Sequence, residues 1–150
     1  MEFSPQRITN EQHPTRPPGR VLVIDDDFCV GAAIGAILAG CNYETIQESR
    51  AYAGIQTLRQ SSFDVVMIDI FLPGLSGLDA IGYVRRDSSI PIIAMSGFRL
   101  RSSVDAVDYL EMAAQRGATL CMRKPFRPAE LIEAVDWSGG LWPALQPPTR

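Results

Sequence analysis

The chain has few of the residues on which most enzyme chemistry depends. Its 150 residues include a single histidine, His13, and three cysteines that show no Cys-x-x-Cys spacing. Because His13 lies in a proline-rich segment, no histidine in the rest of the chain is left to act as the base of a Ser-His-Asp or Cys-His pair. A zinc site of histidine and cysteine lacks ligands for the same reason. We expect the cysteines to be reduced thiols in a cytoplasmic protein.

Long apolar runs and clusters of basic residues are absent as well. No apolar run approaches the roughly 20 residues that a membrane-spanning helix needs, and the polar N-terminal segment lacks the apolar stretch of a signal peptide. The net charge is −3, from 17 acidic and 14 basic residues, and the basic residues form no long run. We therefore expect a cytoplasmic protein that binds neither a membrane nor nucleic acid.

Prolines are concentrated at the two ends of the chain. Four of the eleven lie in residues 1–19 and three in residues 138–150. Both segments show little periodic hydrophobicity, so we expect flexible tails on either side of one domain at residues 20–137. Because few residues follow that domain, we expect no DNA-binding or catalytic module after it.

Within residues 20–137, apolar segments of strand length alternate strictly with helical segments. Short continuous apolar runs, such as residues 21–24, are typical of strands that are buried on both faces. Ser49 is a candidate N-cap of the second helix, and Gly40 and Gly117 are candidate ends of the first and fourth. The alternation predicts an α/β fold, with five helices covering both faces of a five-stranded parallel sheet. The predicted strands are 21–24, 44–48, 63–68, 90–95 and 119–122, and the predicted helices are 28–39, 49–60, 78–86, 104–116 and 128–137.

The most reactive side chains come directly after strands. Since the carboxyl ends of parallel strands meet at one edge of a sheet, we expect these side chains to form a cluster there. Lys124 stands out because it is the only lysine, the other 13 basic residues being arginines. A compact ammonium suits a point contact to a phosphate or a carboxylate. The residues that share this position are Asp25, Asp26, Asp27, Asp69, Ser96 and Lys124.

Such a cluster predicts magnesium-dependent phosphoryl chemistry. Crowded carboxylates repel one another unless a cation joins them, and a site of oxygen ligands suits Mg²⁺. Asp69 would then be a nucleophile towards phosphorus, forming an aspartyl phosphate, while Lys124 and the Ser96 hydroxyl bind the transferred group. Since the core of the chain has no histidine, the phosphoryl donor must come from outside.

Each of these residues also has a structural explanation. The three consecutive aspartates, Asp25, Asp26 and Asp27, would cap the first helix. Asp69 and Ser96 would be turn residues, and Lys124 a solvated side chain at the end of a strand. These alternatives remain open at this point.

Four motifs carry a resemblance to a known family: VLVIDDD, DVVMIDIFLPGLSG, PIIAMSG and KPF, in this order. The chain from Arg20 to about Trp137 resembles the receiver domain of bacterial two-component response regulators, in particular single-domain regulators of the chemotaxis type. The resemblance implies a doubly wound, flavodoxin-like sheet with strand order 2-1-3-4-5. It also implies that Asp69 is the phosphorylated residue, so the protein is a phosphoacceptor without separate substrate turnover.

The resemblance implies roles for the other residues of the cluster. Asp26 matches the direct Mg²⁺ ligand and Asp25 a ligand acting chiefly through water, with Asp69 and the backbone carbonyl of Phe71 completing the metal site. Ser96 matches the hydroxyl that binds the phosphoryl group and Lys124 the lysine that pairs with it. The peptide between Lys124 and Pro125 is one that this family usually holds in cis.

The implied partners are proteins. A sensor histidine kinase or a histidine phosphotransfer protein would supply the phosphoryl group. The output would be contact with an unidentified protein target or onward phosphoryl transfer, by a monomer or a phosphorylation-dependent dimer.

The sequence departs from the family pattern at three places. Cys121 stands where the family usually has Tyr or Phe, three residues before the lysine. The stretch from Ser96 to Lys124 is several residues longer than usual. The residues two after Asp69 and two after Ser96 are Phe71 and Phe98, at positions that flank the path of the hydrolytic water in this family. Since two aromatic rings would shield that path, we predict a long-lived phosphoryl group that Phe71→Asn with Phe98→Glu shortens.

Two other functions compete with this one. A phosphorylation-independent binding module would keep the fold and lose the switch, which the Cys121 position favours. A phosphatase resembling the haloacid dehalogenase superfamily would use Asp25 as its nucleophile and Asp27 beside it, but would leave Asp69 unexplained. We expect Asp69→Asn to abolish labelling only if the protein is a phosphorylated receiver.

Overall fold

The computed structural model describes residues 17–97 and 109–140, in which five strands alternate with five helices. Residues 1–16, 98–108 and 141–150 lie outside the described residues, and with them most of both predicted tails, Phe98 and the predicted start of the fourth helix. The predicted alternation is confirmed. The elements are β1 Gly19–Ile24, α1 Phe28–Ala39, β2 Tyr43–Glu48, α2 Ala51–Gln60, β3 Val65–Asp69, α3 Gly77–Asp87, β4 Ile92–Ser96, α4 Tyr109–Arg116, β5 Leu120–Arg123 and α5 Pro128–Ser138.

All strand pairs are parallel, and the strands lie in the order β2-β1-β3-β4-β5. The doubly wound, flavodoxin-like fold is therefore confirmed. Strand order reverses at β1, which has β2 on one side and β3 on the other. In open sheets of this kind, ligands bind beyond the carboxyl ends of the strands at such a reversal. We therefore expect a ligand site at the edge that carries the carboxyl ends of β1 and β3.

The sheet is buried on both faces, which explains the continuous apolar runs. In β1, Leu22 and Ile24 pack on one face while Val21 and Val23 pack on the other. All four are at most 1% exposed, so neither face of this strand alternates with polar residues. Two helical layers cover the faces, α2, α3 and α4 on one and α1 and α5 on the other. Among the described residues, no helix is both long and apolar enough to cross a membrane.

The ends of several elements differ from their predicted positions. Ser49 is not an N-cap: α2 begins at Ala51, and the cap residue Arg50 makes no side-chain capping bond. Ala51 is the first residue of the buried face of this helix, which sets its start. The strand predicted from residue 63 begins at Val65. Phe63, before it, packs against the guanidinium of Arg20, which lies 4.8 Å from the centre of its ring. The strand predicted from residue 90 begins at Ile92, after a proline that cannot donate to the ladder.

Two glycines were predicted to end helices. Gly117 follows α4 with a φ of 112°, a conformation that residues with a side chain rarely adopt. Gly40 follows α1 but keeps a right-handed φ of −67°, and the left-handed turn comes two residues later at Asn42, with a φ of 63°. Both helices therefore end where predicted, but only Gly117 uses the conformational freedom of glycine.

Candidate functional site

The register of the central strands places two buried carboxylates side by side. Ile24 of β1 pairs with Ile68 of β3, so the residues that follow them, Asp25 and Asp69, share one edge of the sheet. Each is only 6% exposed. Asp26 is exposed at the same edge, and one carboxylate oxygen from each of the three aspartates lies within 4.8 Å of the others. The predicted carboxylate cluster is therefore formed by Asp25, Asp26 and Asp69.

The third consecutive aspartate has a different role. The carboxylate of Asp27 accepts hydrogen bonds from the backbone N–H groups of Cys29, at 2.9 Å, and Val30, at 3.4 Å. It is the N-cap of α1. Its own N–H donates to Asp25 at 2.9 Å. Capping thus explains Asp27 only, while Asp25 and Asp26 belong to the carboxylate cluster.

Lys124 joins the two buried carboxylates. Its ammonium donates to Oδ2 of Asp25 and, at 3.2 Å, to Oδ2 of Asp69. The side chain is 16% exposed, so the alternative of a solvated lysine is wrong. The backbone N–H of Lys124 donates to the carbonyl of Ser96 at 2.8 Å, and the peptide to Pro125 is cis. These contacts bring the end of β5 to the same edge as β1, β3 and β4.

Burial and charge act in opposite directions on this cluster. Burial raises the pKa of Asp25 above its usual range and the charge of Asp69 adds to the rise, while the contacts with Lys124 and with the N–H of Asp27 oppose it. Burial by itself would lower the pKa of Lys124, but its hydrogen bonds and the charges of Asp25 and Asp69 raise it. Lys124 therefore stays protonated and offsets only part of the repulsion among three carboxylates.

This imbalance fits a divalent cation. The donors are three carboxylates whose oxygens lie within 4.8 Å of one another, and Mg²⁺ prefers oxygen ligands of this kind. One of the three, Asp26, is exposed, so the cluster opens to solvent and to the waters that Mg²⁺ retains. The residues present therefore fit the predicted metal.

The other predicted site residues lie at the same edge. Ser96 is the last residue of β4, and its hydroxyl donates to the carbonyl of Gly97 at 3.4 Å. The backbone N–H of Phe71 donates to Oδ1 of Asp69 at 2.9 Å. The proposed role of the Phe71 carbonyl as a metal ligand stays a prediction, as does the role of the Ser96 hydroxyl.

Two residues at this edge were not singled out from the sequence. A Cβ on Gly77, the first residue of α3, would lie 2.1 Å from the carbonyl oxygen of Asp69, so only glycine fits there. The sequence offered one indication of this position. Ser76 is a typical N-cap residue, and it caps α3, so Gly77 is the first residue of that helix. Tyr109 contacts the ring of Phe71 edge to face, with 4.9 Å between ring centres. No spacing in the sequence indicated that contact, because it joins two separate elements.

The fold and the acidic edge define a doubly wound α/β protein with a candidate cation site at its topological switch point. A model of the response regulator receiver domain matches residues 21–136, within the predicted domain. The chain belongs to this family.

Similar proteins agree with this assignment. Over 116 residues, the chain is 30% identical to the DNA-binding response regulator MtrA of Mycobacterium tuberculosis. The aligned residues cover 77% of this chain and 48% of MtrA. It is 31% identical over the same length to the regulatory protein VanR of Enterococcus faecium, with 77% and 48% covered. The chain thus spans about half the length of these relatives.

Solved structures match the fold. A response regulator from Chloroflexus aurantiacus superimposes with a TM-score of 0.73 at 24% identity, covering 82% of this chain and 98% of that one. A CheY-like receiver domain from Methanospirillum hungatei superimposes with a TM-score of 0.72 at 21% identity, covering 82% and 94%. At these identities the likeness supports the fold, while the function has to be argued from the site.

Proposed function

We propose that this receiver domain accepts a phosphoryl group on Asp69 in a Mg²⁺-dependent reaction. The observation that carries the proposal is the position of Lys124. The only lysine of the chain contacts both buried carboxylates, Asp25 and Asp69, at the edge where the strand order reverses. Burying one ammonium between two carboxylates costs desolvation free energy, so this arrangement indicates a role beyond stability.

The reaction uses the side chains as follows. A carboxylate oxygen of Asp69 attacks the phosphorus atom of the donor, a new P–O bond forms, and the bond between phosphorus and the donor breaks. The donor leaves with the electron pair of that bond. Lys124 and the Ser96 hydroxyl then bind oxygens of the transferred group, whose negative charge Lys124 offsets.

Asp25, Asp26 and Asp69 would hold the Mg²⁺ ion, together with the Phe71 carbonyl. When bound, the ion neutralises charge on the transferring phosphoryl oxygens. The protein's part is to fix the two buried carboxylates. Asp25 is held by the N–H of Asp27 and by Lys124, and Asp69 by the N–H of Phe71 and by Lys124.

The donor and the target belong to the proposal as well. A histidine kinase or a histidine phosphotransfer protein would supply the phosphoryl group, because the only histidine, His13, lies before the domain. MtrA is described as DNA-binding, but this chain matches only about half of it. For this chain, with its net charge of −3, we propose an output through protein contact or onward phosphoryl transfer.

The test is a labelling experiment. The protein is incubated with Mg²⁺ and a small acyl-phosphate donor, and its intact mass is followed over time. We expect the parent to gain one phosphoryl group and Asp69→Asn to gain none. Asp87→Asn is the matched control, because Asp87 is an exposed carboxylate at the end of α3, paired with Arg59. Labelling of Asp69→Asn at the parental rate would overturn the assignment of the phosphoacceptor.

A phosphorylation-independent binding module is the second candidate, and Cys121 favours it. The thiol of Cys121 is partly buried and donates to the carbonyl of Leu110 in α4 at 3.3 Å, where the family usually has an aromatic ring. This candidate predicts that a partner captured by the parent binds Asp69→Asn with the same affinity. Family membership favours either receiver interpretation over the phosphatase alternative.

A further inference from the structure

Phe71 connects Asp69 to α4 through two contacts of different kinds. Its backbone N–H donates to Oδ1 of Asp69 at 2.9 Å. Its ring meets the ring of Tyr109, the first residue of α4 that the structure describes, at an interplanar angle of 74°. This edge-to-face geometry is the arrangement that the charge distribution of aromatic rings favours. A single residue therefore links the carboxylate to the helix.

The contact between Asp69 and Phe71 depends on the charge of Asp69. A carboxylate accepts a charge-assisted hydrogen bond, which is about twice as strong as one between neutral groups. When one oxygen of Asp69 becomes part of an acyl phosphate, the other becomes a neutral carbonyl oxygen. The Phe71 N–H then either donates to this weaker acceptor or turns to an oxygen of the phosphoryl group. In both cases phosphorylation changes the contact that holds the backbone of Phe71.

We infer that Tyr109 is a positioning residue: its ring holds Phe71 and so couples α4 to the phosphorylation of Asp69. This inference rests on the proposed function. It has two consequences. Phosphorylation shifts α4 through the aromatic pair. The pair also slows loss of the phosphoryl group, because it holds Phe71 beside Asp69 and so limits the access of water. Cys121 also contacts α4, through its thiol and the carbonyl of Leu110, but it offers no ring that could move.

The experiment measures both consequences in the same variants. Tyr109→Ala removes the ring, Tyr109→Phe keeps it, and Tyr52→Ala removes a tyrosine of α2 that is 67% exposed against 41% for Tyr109. Each protein is labelled with Mg²⁺ and a small acyl-phosphate donor. The decay rate of the labelled form is followed by intact mass. The backbone amide shifts of α4 on labelling are followed by NMR.

We expect the label on Tyr109→Ala to decay about two- to tenfold faster than on the parent, the range that the loss of one aromatic pair allows. The α4 amide shifts should shrink in this variant, and Tyr109→Phe should restore both properties. Tyr52→Ala should behave as the parent does. The melting temperature of each variant, measured by circular dichroism, shows whether Tyr109→Ala is folded. If it is not, Tyr109→Leu takes its place.

The two levels of failure give different results. If the folded, ring-deleted variant decays at the parental rate and keeps its α4 shifts, the coupling is overturned while Asp69 remains the phosphoacceptor. If Tyr52→Ala changes the decay as much as Tyr109→Ala does, the specific role of the pair is overturned. If the parent takes up no label from this donor or from a histidine phosphotransfer protein, the proposed function fails, and this inference fails with it.

Discussion

At the level of single residues, the three consecutive aspartates after β1 have three different environments. Asp25 is buried and accepts bonds from Lys124 and from the Asp27 N–H. Asp26 is exposed and belongs to the carboxylate cluster, while Asp27 caps α1. A strand that ends at Ile24 and a helix that begins at Phe28 leave only these three residues to turn the chain. One short segment therefore has to supply both a cap and two site carboxylates.

This division predicts different effects for two neighbouring substitutions. Asp26→Asn should raise the Mg²⁺ concentration that gives half-maximal labelling by about tenfold or more, because a loss of ~1.4 kcal/mol in binding suffices for that change. Asp27→Asn should leave it nearly unchanged, because asparagine caps a helix about as well as aspartate. The labelling rate across a Mg²⁺ titration measures both. Equal responses would contradict the separation of cap from site.

Lys124 gives a second prediction at this scale. Lys124→Arg keeps the positive charge, but a planar guanidinium does not suit a point contact between two carboxylates in a site where the side chain is 16% exposed. We expect labelling to slow about 100-fold, as it does when one charge-stabilising donor is lost from a reacting centre. The neighbouring exposed residue supplies the control, since Arg123→Lys should label as the parent does. A parental rate in Lys124→Arg would mean that only the charge matters.

Much of the site could be predicted from the sequence because parallel strands all end at the same edge. Asp25 and Asp69 directly follow apolar segments, and Lys124 follows one after Arg123. These positions were enough to predict that the three side chains cluster at one edge. From the residues alone, the division among the three aspartates stayed open, although the predicted start of α1 at residue 28 is the observed one. Only the hydrogen bonds decide it, because the carboxylate of Asp27 accepts from the N–H groups of Cys29 and Val30. The contact of Phe71 with Tyr109 could not be predicted for another reason. It depends on how α4 packs against the loop after β3, and no local sequence pattern indicates that packing.

At the level of elements, the start of α3 lies directly against β3, the strand that ends in Asp69. A Cβ on Gly77 would lie 2.1 Å from the Asp69 carbonyl oxygen and 2.5 Å from Cα of Ile70. The N–H of Gly77 also donates to the carbonyl of Ile70 at 3.2 Å. These neighbours are backbone atoms, so rotation of a side chain cannot relieve the contact. The absent side chain of Gly77 is thus what lets α3 begin this close to the site.

Gly77→Ala should therefore destabilise the protein and disturb the site together. We expect a loss of about 2–4 kcal/mol in the free energy of unfolding, towards the upper end of overpacking effects. Labelling of the remaining folded protein should also slow, because Asp69 must shift. Gly82→Ala in the same helix meets nothing within 4 Å and should stabilise by up to about 1 kcal/mol. Urea unfolding of the two variants makes the comparison. A neutral Gly77→Ala would contradict the close approach.

At the level of the whole molecule, the carboxyl ends and the amino ends of the parallel strands differ in what they contribute. The carboxyl edge holds the like charges of the candidate site, which oppose folding. At the other edge, Arg85 of α3 ties together the segments that lead into β4 and β5. Its guanidinium donates to the carbonyls of Gly117 at 2.8 Å and Ile90 at 2.5 Å, and to the hydroxyl of Thr119 at 3.3 Å. Burial lowers its pKa, as expected for a partly desolvated guanidinium.

Removing the hydrogen bonds of Arg85 should lower the stability of the protein without changing its labelling rate. Arg85→Met leaves the carbonyls of Gly117 and Ile90 without these donors, so we expect a loss of about 2–4 kcal/mol in the free energy of unfolding. Arg86→Met, at the next position, removes an exposed side chain that lies over the ring of Tyr83 and should cost no more than about 1 kcal/mol. Both variants should label at the parental rate under conditions where they are folded, because Arg85 contacts residues at the edge opposite Asp69. Slower labelling of folded Arg85→Met would show instead that the two edges are energetically coupled, and that the positions of β4 and β5 set the geometry of Ser96 and Lys124.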